Sequence, residues 1–196
     1  MSSLTPASTS MTAALSGEPT RRPVPPVTVA DRVRGPADAP ATLVVYGNYG
    51  CLHCRRAYAL LDELTDDASG GLRVVYRHFA RPGDFPNAEL AAEAVLAAAA
   101  QGRWWDLHLR LATGGAYFDI AALGAHARAL GLDVERFMRQ LRDGEYRERV
   151  RQEHAGGAGA GVVATPSFFL DDEYLVERSD LEAVRTVALE RAGLGL

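Results

Sequence analysis

The chain has two cysteines, Cys51 and Cys54, two residues apart where a strand-like run gives way to a helical pattern, in YGNYGCLHCRRAYALLDEL (46–64). That junction restricts the fold more than any other feature. Upstream, ATLVVYGNYG (41–50) is a β-branched and aromatic run ending in glycine, which predicts a buried strand. Downstream, Ala57, Leu60, Leu61 and Leu64 recur at helical spacing, so the cysteine pair opens a helix. LRVVYRHF (72–79) predicts a second strand. Strand, helix and strand over this length make a βαβ unit, with a parallel strand pair and a right-handed crossover.

The placement of the pair carries its chemistry. A cysteine at the first turn of a helix meets unpaired backbone N–H groups and the positive end of the helix dipole, and both favour a thiolate. Cys51 is that cysteine and the expected nucleophile. Cys54, one turn further in, can resolve a mixed disulfide. Between them stand Leu52 and His53, and His53 offers positive charge or a donor to the Cys51 sulfur. Tyr49, just before the pair, offers a flank to a substrate groove, with packing as its competing duty. A zinc site would need two further ligands, whereas His78, His108, His126 and His154 show no paired spacing. His78 ends a strand that heads toward the dithiol. The other three read as packing or surface residues, and Trp104-Trp105 as core.

Beyond the second strand the period becomes helical in five successive segments between Asn87 and Ala155, separated by Gly, Thr or Asp breaks. GGAGAG (156–161) reads as a flexible joint. TPSFFLDDEYLVE (165–177) predicts a hairpin turning at Asp171-Asp172, and a helix capped by Ser179 or Asp180 follows. The expected layout is β-α-β, a helical insertion, then β-β-α. Residues 1–26 carry five of the ten prolines and few large apolar groups, so a disordered tail is expected there.

Composition excludes some classes. All 21 basic residues are Arg, scattered along a chain of net charge −4, which leaves no nucleic-acid footprint. The Ala-rich stretch at 88–100 is too short and too interrupted by Glu89 and Glu93 to span a membrane. The first residues lack the pattern of a secretory signal, so a cytoplasmic location is expected, where a structural disulfide would not persist. Pro166 admits two local readings: a cis-proline beside the dithiol, leaving the Thr165 backbone free to pair with a peptide, or an ordinary trans proline at an edge strand.

Four segments then go further. VRGPADAPATLVVYGNYGCLHCRRAY, NAELAAEAVLAAAAQGRWWDLH, ALGLDVERFMRQLRDGEY and GVVATPSFFLDD resemble the DsbA-like thioredoxin family, most closely the branch found as stand-alone bacterial proteins and as a domain fused to some sodium/proton antiporters. The resemblance runs from about Val29 to the C-terminus. It implies an α/β thioredoxin-like fold, a central mixed sheet flanked by helices, carrying an all-helical insertion. The parts would be 27–86, the insertion 87–158, and 159–196. It implies thiol–disulfide exchange on protein substrates, with Cys51 as nucleophile, Cys54 as resolving thiol and Pro166 as the cis-proline. Thr165, Pro166 and Tyr49 would meet substrate. The redox pair itself would serve in place of a cofactor, with glutathione as candidate co-substrate and a separate recycling partner. Against that pattern, Val45, Asn48 and Gly50 stand where relatives usually carry acids. Losing a negative charge at Val45 favours thiolate at Cys51 and removes a proton acceptor for Cys54. A glutathione-dependent transferase or isomerase, or a non-catalytic thioredoxin-fold binding module, are the alternative functions; the former would place Ser where this chain has CLHC.

Overall fold

A computed structural model describes residues 23–80, 83, 85, 87–114, 118–177 and 181–194. Five strands form one mixed sheet: β1 (Arg32–Arg34), β2 (Ala41–Gly47), β3 (Leu72–His78), β4 (Ser167–Leu170) and β5 (Glu173–Glu177), in the order β1-β3-β2-β4-β5. β2 and β3 are parallel, joined through α1 (Leu52–Asp67), and every other pairing is antiparallel. Six of the seven residues of β2 are buried, as expected of a central strand covered on both faces. This is a thioredoxin-like fold with an all-helical insertion.

Strand alternation sorts the core into two faces. Leu43, Val45, Val74, Tyr76, Phe168 and Leu170 point to one side, where they pack with α1 residues Cys54, Ala57, Leu61 and Leu64 and with Val184 and Ala188 of α7 (Leu181–Arg191). Val44, Tyr46, Val75 and Phe169 point to the other and pack with Val24, Phe79, Ala160 and Val162. The insertion comprises α2 (Ala88–Ala99), α3 (Trp104–Thr113), α4 (Ile120–Ala129), α5 (Val134–Asp143) and α6 (Arg147–Gly159). Asp119 and Asp133 cap α4 and α5, each accepting a backbone N–H three residues on, at 2.8 and 2.9 Å.

Several expectations need correcting. β1 was not foreseen: a three-residue strand of alternating Arg and Val, it pairs with β3 but is too short to carry a periodic signal. Residues 23–26 do not belong with a loose tail. Val24 is buried on the second face, and the carbonyls of Pro25 and Pro26 accept from the Arg77 guanidinium at 2.7 and 3.0 Å. The tail before residue 23 and the caps expected at Ser179 or Asp180 lie outside the described residues. The glycine-rich 156–159 is not a joint but the last turn of α6. At Gly157 a Cβ would stand 2.8 Å from ring carbons of Tyr46, so glycine here serves close helix–sheet approach rather than flexibility. The hairpin turn does fall at Asp171 and Asp172, both with positive φ (46° and 71°).

Candidate active site

The cysteine pair sits where the β2–α1 loop meets the loop before β4. Cys51 is the residue at the N-cap of α1, in an extended conformation, with no acidic side chain in the helix's first turn. Asn48 organises the turn that delivers it. Its carbonyl accepts from the Cys51 N–H at 3.1 Å, its side-chain oxygen accepts from the Gly50 N–H at 2.8 Å, and its own N–H donates to Cys54 Sγ at 3.4 Å. Sequence reasoning noted Asn48 only as a missing acid; the asparagine beside a Gly-containing turn was the available signal. Gly50 has no room for a side chain, because a Cβ would lie 2.6 Å from that of Phe85.

The two sulfurs occupy opposite electrostatic situations. Cys51 Sγ lies 3.3 Å from the Thr165 carbonyl oxygen, to which it donates only when protonated, and the Thr165–Pro166 peptide bond is cis. Cys51 has its pKa pulled down to about 5. The largest cause is hydrogen bonding from the Cys54 thiol; burial opposes it, and the Cys54 backbone, Thr165 and the His53 backbone add to it. Cys54 is fully enclosed, and burial first, then its hydrogen bond to Cys51 and that neighbour's negative charge, hold its pKa well above the ordinary thiol range. One sulfur is therefore an anion at neutral pH and the other a thiol.

The remaining candidates divide. Leu52 is 59% exposed on the rim of the site, beside Cys51 in the chain. His53 is exposed, and what reaches Cys51 is its backbone N–H. Tyr49 does not flank a groove: it is buried, its hydroxyl is 2.8 Å from His108 Nδ1, and its ring contacts Tyr58, His78 and Phe118. Arg55, a cation next to the pair in sequence, donates instead to the Ala112 and Thr113 carbonyls at the end of α3 (2.9 and 3.1 Å). His78 is buried, its Nδ1 2.7 Å from Glu153 Oε2, which also accepts the His78 backbone N–H at 2.8 Å. Val45 is buried with the dithiol in one core cluster. Among the described residues no group of three or more His, Cys, Asp or Glu could hold a metal ion, and no helix is long and apolar enough to cross a membrane.

The thioredoxin family matches residues 27–188. Two curated relatives are antiporters: the Na(+)/H(+) antiporter NhaA 1 of Salinispora arenicola, 38% identical over 142 residues, and the NhaA of Herminiimonas arsenicoxydans, 36% identical over 165. They align with 72% and 84% of this chain but only 22% and 26% of their own length, so the chain spans about a quarter of the relatives it matches. Among solved structures, a thioredoxin-like oxidoreductase from Silicibacter pomeroyi superposes with a TM-score of 0.73 at 28% identity, covering 86% of this chain and 95% of that one. BdbD from Bacillus subtilis superposes at 0.74 with 19% identity, covering 88% and 98%.

Proposed function

The chain belongs to the thioredoxin family, and from that premise we propose that it is a DsbA-like thiol–disulfide oxidoreductase in which Cys51 and Cys54 form the redox centre, exchanging disulfides with protein substrates. The observation that carries this reading is the split between the two sulfurs: a thiolate at the helix N-terminus and a protonated thiol one turn deeper. The Cys51 thiolate attacks one sulfur of a substrate disulfide, forming a mixed disulfide and releasing the other substrate sulfur as a thiolate, which takes up a proton. Cys54 then loses its proton, attacks Cys51 Sγ and releases the second substrate thiolate, leaving a Cys51–Cys54 disulfide. Run in reverse, the same steps oxidise a substrate dithiol. Pro166 has no N–H, and the Thr165 backbone beside it is placed to pair with an extended substrate segment. Leu52, 59% exposed beside Cys51, offers an apolar contact for its side chains.

Stabilising the thiolate stabilises the reduced form, so the disulfide is an oxidising one. With Val45 in place of a buried acid, the resolving step is slow. In the cytoplasm, the compartment expected from the sequence, this centre faces a reducing glutathione pool, and glutathione is then its co-substrate. The test is a redox equilibrium in graded glutathione buffers, trapping and counting free thiols, with Cys51→Ser as control. A reversible internal disulfide is expected, with a potential nearer the about −120 mV of strong oxidants than the about −270 mV of reductants. Cysteines that never pair reversibly would defeat the reading.

A further inference from the structure

Behind the dithiol loop three buried polar atoms, Tyr76 Oη, Trp104 Nε1 and His108 Nε2, have no partner within hydrogen-bond distance among the described residues, though Asp62 bears on the Tyr76 hydroxyl. Their side chains belong to residues only 4%, 4% and 1% exposed. They share one aromatic cluster. The Trp104 ring stacks on His108 with centroids 4.5 Å apart, and Tyr76 lies 4.9 Å from His108 and 5.7 Å from Trp104. The other nitrogen of His108 is engaged, 2.8 Å from Tyr49 Oη. Protein interiors commonly satisfy buried polar atoms of this kind with ordered water. We propose that Tyr76, Trp104 and His108 bind one ordered water behind the dithiol, and that His108 is a positioning residue for the dithiol loop, acting through Tyr49.

Donor and acceptor counts fix the arrangement. Burial, with the charges of His78 and Arg34, pushes the His108 pKa down to about 3, so the ring is neutral and carries one hydrogen. Among the described residues the Tyr49 hydroxyl has His108 as its one hydrogen-bond partner; accepting from Nδ1 would strand the hydroxyl hydrogen in the core, so that hydrogen goes to Nδ1 and the ring hydrogen sits on Nε2. Trp104 Nε1 can only donate. One water then accepts from Trp104 and His108 and donates to Tyr76 Oη. The Tyr76 hydroxyl hydrogen remains for the side of Asp62, whose carboxylate bears on Tyr76.

The second half of the proposal rests on the exchange reading. Tyr49 lies between Asn48, whose N–H reaches Cys54 Sγ at 3.4 Å, and Gly50, whose N–H returns to the Asn48 side chain at 2.8 Å. Fixing Tyr49 therefore fixes the amide that meets the resolving sulfur. Without the Tyr49–His108 bond the turn loosens, the reduced dithiol loses support, and the equilibrium moves toward the disulfide.

Nitrogen-15 spectra of the histidine rings in the full chain test the first half. They should show His108 protonated on Nε2, bare on Nδ1, and not titrating between about pH 8 and pH 5. The Trp104 indole hydrogen should cross-relax with water. A protonated Nδ1, a titrating ring or an indole without a water contact would overturn the site. For the second half, Tyr49→Phe and His108→Leu should each shift the glutathione equilibrium toward the disulfide by about threefold to tenfold, and the double variant no further than the larger single shift. His108→Asn, whose amide reaches where Nδ1 lies, should recover at least about half of that shift. Unchanged or additive effects overturn the positioning role. Should His108→Leu not fold, Tyr49→Phe, which loses only a hydroxyl, decides. If the native chain forms no reversible disulfide, the exchange reading fails, while the spectra still settle the water and the tautomer.

Discussion

The dithiol and the charged cluster on the other face of the sheet both hold ionised groups away from water, and they behave in opposite ways. In the cluster every charge has a partner. Arg77 donates to Asp31 at 2.8 and 3.2 Å, to both proline carbonyls, and to the Tyr46 hydroxyl at 3.3 Å, with its side chain 4% exposed and that of Asp31 2%. Arg149 bridges Glu153 at 2.8 Å and Asp31 at 3.8 Å, and Glu153 holds His78. Among the described residues no cation is paired with the Cys51 thiolate; neutral donors are the chief causes that lower its pKa, and Arg55, which could have neutralised it, is held by α3 carbonyls. Saturated charge is inert and ties elements together: Arg77 clamps the N-terminal segment to β3, and Glu153 clamps α6 to the end of β3. Charge supported only by weak, neutral donors remains available to attack. The difference lies in how completely the partners close, not in depth of burial.

The comparison can be broken most severely in the cluster. Arg77→Met leaves Asp31 buried without its main partner, and unfolding by denaturant should show a loss of about 3–5 kcal/mol. The alkylation profile of Cys51 should keep its inflection near pH 5; an inflection that moved with Arg77 would mean the two regions are coupled. Glu153 gives the next effect. Burial opposes its ionisation, but His78 and Arg149 draw its pKa from 4.5 down to about 2. A depressed folded-state pKa contributes stability that is complete above 4.5 and disappears as pH falls through 2. Melting temperature should therefore drop across that window, and Glu153→Gln should flatten the drop; an equally steep decline in the variant would assign the acid limb elsewhere.

On the dithiol side, Val45→Glu introduces the buried carboxylate that the site does without. The Cys51 inflection should rise by about one pH unit, equivalent to about 1.4 kcal/mol less stabilisation of the thiolate, and release of the mixed disulfide should speed up. An unmoved inflection would show that position 45 is not electrostatically felt at Cys51. The smallest effect is a control remote from both regions. Asp133→Ala removes the α5 cap and should cost about 1 kcal/mol in chemical denaturation, with the redox equilibrium unchanged.

What the amino-acid sequence determined by itself was whatever rests on local pattern. The β-branched and aromatic runs marked β2 and β3, the 3.6-residue period marked α1 and the five helices of the insertion, and the Cys-x-x-Cys at the strand-to-helix boundary placed a nucleophilic sulfur on a helix N-terminus. The hairpin turn at Asp171-Asp172 was legible for the same reason, since aspartates tolerate positive φ. Tertiary structure alone decided the rest, because it depends on residues far apart in the chain. Val24 and the prolines after it pack because Arg77, some fifty residues on, offers their carbonyls donors. Gly157 lies in the last turn of α6, not in a joint, and is glycine because the Tyr46 ring leaves no room there for a side chain. Tyr49, adjacent to the cysteines and open to a substrate-facing reading, turns inward because His108, 59 residues later, supplies a buried partner for its hydroxyl. A periodic pattern reports which face of an element is apolar. Which polar atom pairs with which is settled only when the elements meet, since burial makes an unpaired group costly and so dictates where each side chain must turn.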